Sequence, residues 1–334
     1  MPVVYLTNID SYKVVGSQII AGDDINLQVD TLVNTGTLKA GESIALNAIN
    51  SIENYGGSIQ ANEDISLIAV NDISNTSGDI QASTINLTSQ EGDIKNTRYS
   101  KAVSYGANGI KDDKTLIGKA SNIQATNTLN INTNNTFLNQ GSNLNANDIN
   151  IQAQNVDIAT TEDKKDFDVS FSGGYVKENS STHIASNLNA NTININSIET
   201  TSIQGSNLNA VNDINIQAEK IDILAVQDTS YKKSKTTSKG FLSSKSTTTT
   251  DYTLKNKDAS LNAKGAITLN TNKDINIVSS TLEADAGVSA TSSEGSVNVV
   301  ALNDITIHKE KKEKKGFSFK ISKDGVSLFK KNRR

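Results

Sequence analysis

The chain has no cysteine, one proline and two histidines in 334 residues. Without thiols it can form neither disulfides nor thiolate-held metal sites, and a cysteine-free chain suits export through an oxidising periplasm. His183 and His308 are too remote from each other to seed a histidine metal cluster. The single proline is Pro2, so no strand in the body loses a backbone donor to a ring. No apolar run approaches the roughly 18 residues a membrane-crossing helix needs. The opening MPVVYLTNID also lacks a charged region leading into an apolar one, so it does not read as a signal peptide. Hydrophobic residues make up only 35% of the chain. With Ser, Thr, Asn and Asp filling the remainder, composition alone would indicate disorder.

The placement of those few apolar residues argues for order. In GSNLNAVNDINIQA, residues 205–218, Leu208 and Ala210 alternate with asparagine, a turn-like Val-Asn-Asp follows, and Ile214, Ile216 and Ala218 alternate with Asn215 and Gln217. Period two means two short strands, each with one apolar face, joined by a bend. The phrase recurs with Ala21, Ala40, Ala61, Ala82, Ala125, Ala146, Ala190, Ala210, Ala263 and Ala284 as its marker, at steps of 19, 21, 21, 43, 21, 44, 20, 53 and 21. Strands this short cannot bury their apolar faces alone, but coils of about 21 residues stacked on one another build a continuous core, the architecture of a parallel β-helix. A leucine-rich repeat would need L-x-x-L-x-L spacing, and a propeller a longer period. About ten coils at ~4.8 Å predict a rod on the order of 50 Å long, with asparagines of successive coils stacked as amide ladders. Gly36, Gly57 and Gly78 mark the turns before the first strands.

The solenoid reading covers residues 1–307, with excursions at about 91–118, 160–184 and 228–257, and a basic hairpin or tail at 308–334. Each excursion reads as a hairpin leaving the body. Eleven of the fifteen Phe and Tyr residues lie in these segments. They either present a sticky surface or, the reading favoured by general burial, pack the hairpins against the solenoid flank. From Lys309 to Arg334 eleven basic residues face three acidic ones, a net of +8, which leaves −12 for the rest of a chain whose total is −4. Such a tail shields the open edge of the last coil from pairing, or contacts an anionic surface.

Catalytic constellations are missing. Asp23 with Asp24 and Asp112 with Asp113 are adjacent carboxylates, but Asp64, Asp148, Asp213 and Asp304 fall at the same bend of the repeat, which marks an architectural turn position. No calcium-binding G-G-x-G-x-D repeat, phosphate-binding glycine loop or histidine base beside a serine occurs.

The G-S-x-L-x-A phrase, the D-I-x-I strand, and the inserts reading Lys-Gly-Phe at Lys239–Phe241 and Lys315–Phe317 together resemble the repeats of filamentous haemagglutinins. The likeness runs from about residue 16 to 331. This resemblance implies an all-β, right-handed parallel β-helix with hairpin-like excursions, a shaft fragment of a secreted or surface-displayed Gram-negative exoprotein. Its parent would leave through an outer-membrane two-partner secretion exporter, and would serve adhesion or carry a toxin domain in contact-dependent growth inhibition. End-to-end continuation with further repeats is expected, whereas no cofactor, metal, catalytic group or specific nucleic acid is. The contact partner is a target-cell surface or outer membrane, and the candidate contact residues are Tyr231, Lys232, Lys233, Lys235, Lys239, Phe241, Lys245, Tyr252, Phe317 and Phe319. Rival readings are a β-helical carbohydrate-active enzyme and a polyanion binder acting through the basic inserts.

Overall fold

The computed structural model describes residues 17–322 and 325–333, with side chains as far as residue 317. Ten coils are stacked so that each contributes one strand to each of three parallel sheets, every sheet being ten-stranded. The chain is a parallel β-helix. The repeat marker holds in register: Ile80 pairs with Ile123 and Ala82 with Ala125, and further on Leu208 pairs with Leu261 and Ala210 with Ala263. Between the end coils the inward Ile, Leu and Ala of the first two sheets are buried almost completely, Ile214 at 0% and Ile216 at 1% exposure, while Asn215 between them faces solvent. Alternation on the pleat sends one face of every strand into the core and the other to water.

Two strands per coil were expected, and there are three. The third lies in the stretch after each D-I-x-I strand, for example Ile52–Tyr55, Ile73–Thr76 and Ile94–Thr97. It too alternates, but in the first half of the molecule its second inward residue is asparagine. Asn54, Asn75, Asn96 and Asn139 are at most 1% exposed, yet the amides satisfy one another from coil to coil. Nδ2 of Asn54 donates to Oδ1 of Asn75 at 2.7 Å, and Nδ2 of Asn75 to Oδ1 of Asn96 at 2.8 Å. The second hydrogens go to turn carbonyls, those of Gly57 and Gly78, each at 3.1 Å. A β carbon at Gly57 would lie 2.5 Å from both Asn34 Nδ2 and Asn54 Oδ1, so the ladder itself requires glycine at this turn.

The first excursion begins later than the sequence indicated. The charged run from residue 91 still belongs to the fourth coil, because Ile94 and Asn96 of Ile94–Thr97 point inward, and the hairpin starts only at Ser100. The last one opens at Ile305, a few residues before 308.

Candidate surface: an antiparallel wing

Four hairpins leave the solenoid at one corner, after the third strand of the fourth, sixth, eighth and tenth coils. They are Ser100–Ala107 with Ile110–Ile117, Thr161–Phe171 with Gly174–Ile184, Val226–Lys239 with Ser243–Lys257, and Ile305–Ser322 with Gly325–Arg333. Their strands join in sequence order into a single eight-stranded antiparallel sheet. The spacing explains the fusion. Two antiparallel strands occupy about 9.6 Å, the height of two coils at ~4.8 Å each, so a hairpin on every second coil meets its neighbour edge to edge. Closely paired hairpins also leave fewer open edges to aggregate.

The third, fifth, seventh and ninth coils close the same corner in two residues, the first of them at positive φ. Gly141 and Gly205 have φ 56° and 52°, Ser77 and Ser279 48° and 43°. Glycine stands where the next coil's hairpin emerges: a β carbon at Gly141 would meet Thr161 Oγ1 at 2.2 Å, and one at Gly205 would meet Val226 Cγ2 at 2.5 Å. Serine instead ties the root down, Ser77 Oγ accepting from the Tyr99 N–H at 3.0 Å and Ser279 Oγ from the Leu302 N–H at 2.5 Å. Tyr99 also meets Tyr55 edge to face at 5.8 Å, with an interplanar angle of 82°.

Each seam between hairpins is stitched by polar side chains. Lys111 Nζ reaches Asp166 at 2.7 Å across the first seam and Asp113 at 2.8 Å within its own hairpin. These bonds hold the Lys111 ammonium well above its ordinary range, and the Lys111 and Ser104 bonds hold Asp113 below the usual 3.8. Lys232 reaches Glu178 at 2.5 Å and His183 Nδ1 meets Asp228 at 2.9 Å across the second seam. His308 Nδ1 meets Asp251 at 2.5 Å across the third. Both histidines therefore serve the wing, on either side of the hairpin Val226–Lys257.

The wing is one layer thick. From Glu162 to Ile184 and from Val226 to Lys257 every residue is exposed or half-buried. Tyr231, Phe241, Tyr252 and Phe317 thus do not pack into the flank as general burial led one to expect. Tyr231 stands directly across from Tyr252, which in turn faces Ile307, a cross-strand row on one face. Lys233 and Lys235 share that face by alternation, whereas Lys232 lies on the other and is held by Glu178. Phe241, at the tip of the longest hairpin, is 99% exposed.

The tip assembles the two Lys-Gly-Phe phrases. The Phe317 N–H donates to Leu242 O at 3.2 Å, and Ser243 pairs with Gly316. A shallow hollow beside them, about 490 Å³, is lined by Ser243, Ser244, Lys245, Lys314, Lys315, Gly316 and Phe317. Lys239 ends the strand before it, and Phe241 and Leu242 lie in the connecting turn. Lys314 and Lys315, which were not among the contact candidates, stand in this hollow beside Lys245 and Phe317, which were. The backbone of Phe319 pairs with Leu328, but its side chain lies outside the described residues. Charge is uneven along the wing, Ser100–Ile117 carrying three lysines against two acids, +1. Thr161–Ile184 carries three lysines against five acids, −2, and Val226–Lys257 seven lysines against two, +5.

The family model for the hemagglutinin repeat matches residues 5–169 and 164–241. The chain belongs to the hemagglutinin repeat family. Proteins of this family are structural and adhesive and typically secreted or surface-exposed. No curated protein and no solved structure matches the chain. Among the described residues no group of three or more His, Asp or Glu is arranged to hold a metal ion.

Proposed function

We propose that this hemagglutinin-repeat solenoid is the shaft and adhesive segment of a secreted exoprotein, and that the basic half of its wing touches the surface of a neighbouring cell. The observation that carries this reading is the convergence at one tip of Lys239, Lys245, Lys314 and Lys315 with the exposed Phe241, Leu242 and Phe317. Cations steer the approach to an anionic envelope, and rings settle at an interface that is part wet and part apolar. The solenoid gives the tip a rigid mount, since every coil is held by three parallel ladders. Within this reading the parent protein reaches the surface through an outer-membrane two-partner exporter, and wing contact is the step that brings a carried toxin domain to its target.

The test is retention of the full chain on outer-membrane vesicles at low and at physiological salt. Replacing Lys239, Lys245, Lys314 and Lys315 by Gln should weaken retention several-fold and flatten its salt dependence, because counter-charge attraction is screened over about 8 Å at physiological ionic strength. All four positions are exposed or half-buried, so the variant should melt as the parent does. Equal retention of the two proteins at both salt concentrations would remove the tip from the contact surface and leave the chain a spacer.

A further inference from the structure

A second surface, on the solenoid itself and away from the wing, has the make-up of a binding groove. It runs along the outer face of the second sheet over the fifth to ninth coils, with a volume of about 500 Å³. Two columns of side chains line it. In one, the amides are coupled in a ladder: Asn130 Nδ2 donates to Asn86 Oδ1 at 2.8 Å, and the steps Asn150 to Asn130, Asn194 to Asn150 and Asn215 to Asn194 are each 3.0 Å. The other holds Asn132, Gln152, Asn196, Gln217 and Asn270, all exposed. Among the described residues these five amides have no partner, so each offers a donor pair and an acceptor outward.

The lining is uncharged throughout, being Asn, Gln, Thr and Ile, in a chain with 20% charged residues. The outer face of the third sheet differs, carrying Glu53, Lys95, Asp157 and Asp222. A groove without charge gives an ionic ligand no compensation for its lost hydration. Partnered and unpartnered amides at a repeat of ~4.8 Å over four steps, roughly 19 Å, instead match a long neutral ligand that brings a hydroxyl or acetamido group to every rung. We infer that this face binds an uncharged, hydroxyl-rich glycan strand laid along the solenoid axis, each sugar meeting one free amide. The inference is independent of the wing's role, since it uses neither lysines nor aromatics and predicts binding that salt leaves unchanged.

The experiment is a titration of the full chain, isotopically labelled, with neutral gluco-oligosaccharides and N-acetylglucosamine oligosaccharides of tetraose to hexaose length, read from the side-chain amide resonances. Saturable shifts at Gln152, Asn196 and Gln217 are expected, with a Kd on the order of 0.1 to 1 mM as befits a shallow open site. Affinity should rise with chain length and stay the same between low and physiological salt. The triple variant Gln152→Ala, Asn196→Ala and Gln217→Ala should bind at least about tenfold more weakly with an unaltered melting transition. Gln217→Arg, which places a bulky charge in the groove, should do likewise. Absence of saturable shifts with every oligosaccharide, or unchanged affinity in both variants, overturns the inference. So does self-association that the triple variant abolishes, for the face would then take a second copy of the chain. Loss of glycan binding on lowering the wing's charge, with the groove intact, would assign the glycan to the wing instead.

Discussion

In the first five coils the second inward position of the third strand is Asn34, Asn54, Asn75, Asn96 and Asn139; in the next five it is Ile158, Ile203, Ile223, Ile277 and Val299, in unbroken register. Apart from Val299, which is exposed on the end coil, both rows fill the same place in the core by different physics. The aliphatic row gains from burial alone, at about 25 cal/mol per Å² of apolar surface removed from water. The amide row offsets the cost of desolvating its polar groups only because each amide finds the next, and it also ties the adjacent turn, as when Asn139 Nδ2 donates to Ser142 O at 3.0 Å. An asparagine here is therefore stable in company and costly alone. That explains why the switch occurs once rather than the two residue types being mixed along the row.

The largest effect should come from putting one asparagine into the aliphatic half. Ile203→Asn places an amide between Ile158 and Ile223, where neither neighbour accepts or donates. Lost burial of about 2 kcal/mol and an unsatisfied amide at about 1–3 kcal/mol together predict a destabilisation of about 3–5 kcal/mol in urea unfolding. A loss below about 1 kcal/mol would mean that the row tolerates isolated amides. Next comes Asn75→Ile, which strands the Asn54 donor and the Asn96 acceptor but returns some apolar burial, for a net of about 2 kcal/mol. Asn139→Ile should cost least, about 1 kcal/mol or less, because it only moves the junction down one coil and leaves a single ladder partner, Asn96, unmet. If Asn139→Ile proved as harmful as Asn75→Ile, position within the ladder would not matter and the comparison would fail.

This difference also governs what could be read from residues alone. The first two strands of each coil were legible because their inward residues are aliphatic in nearly every copy, as at Ile193, Ile195, Ile214 and Ile216. The third strand was hidden where an inward asparagine looks like loop, and the run before Ser100 looked like an excursion for that reason, Ile94 being the one apolar inward residue in Ile94–Thr97. Asparagine ladders were foreseen as a stacking device, but their place inside the core depends on which face a residue takes. The hairpins were legible singly. Their fusion into one sheet was not, because it rests on the count of intervening coils, two each time, which appears only once the third strand is assigned. Of the contact candidates, Lys232 looked free beside its neighbours, and only the cross-strand register reveals Glu178 against it.

Acidification should separate the halves by sign, with the smallest amplitude of these effects. On the outer face of the amide half, Lys95 bridges Asp72 at 2.8 Å and Asp93 at 3.0 Å. Burial pushes the Asp72 carboxyl up, but the bond from Lys95, the Asp93 N–H and the lysine's charge outweigh it and hold Asp72 below 3.8. On the outer face at the start of the aliphatic half, Asp157 lies in register between Leu138 and Ser202 with no ion pair among the described residues, and burial pushes it above 3.8. The consequences are opposite. A carboxylate lowered in the folded state contributes stability that is complete above 3.8 and is lost as pH falls through its folded value. One that is raised imposes a penalty that is complete above its folded value and disappears as pH falls toward 3.8 and below. Solvent screening keeps the Asp72 contribution under about 1 kcal/mol. Amide hydrogen exchange resolved by coil, compared between neutral pH and pH near 3, should show protection falling around Ile73–Thr76 and rising around Asn155–Ala159 relative to the molecule's mean. Asp157→Asn should abolish the rise while raising stability at neutral pH, and Lys95→Met should abolish the fall. Parallel changes in both segments would show that acid acts on the solenoid as a whole and not through these two carboxyls.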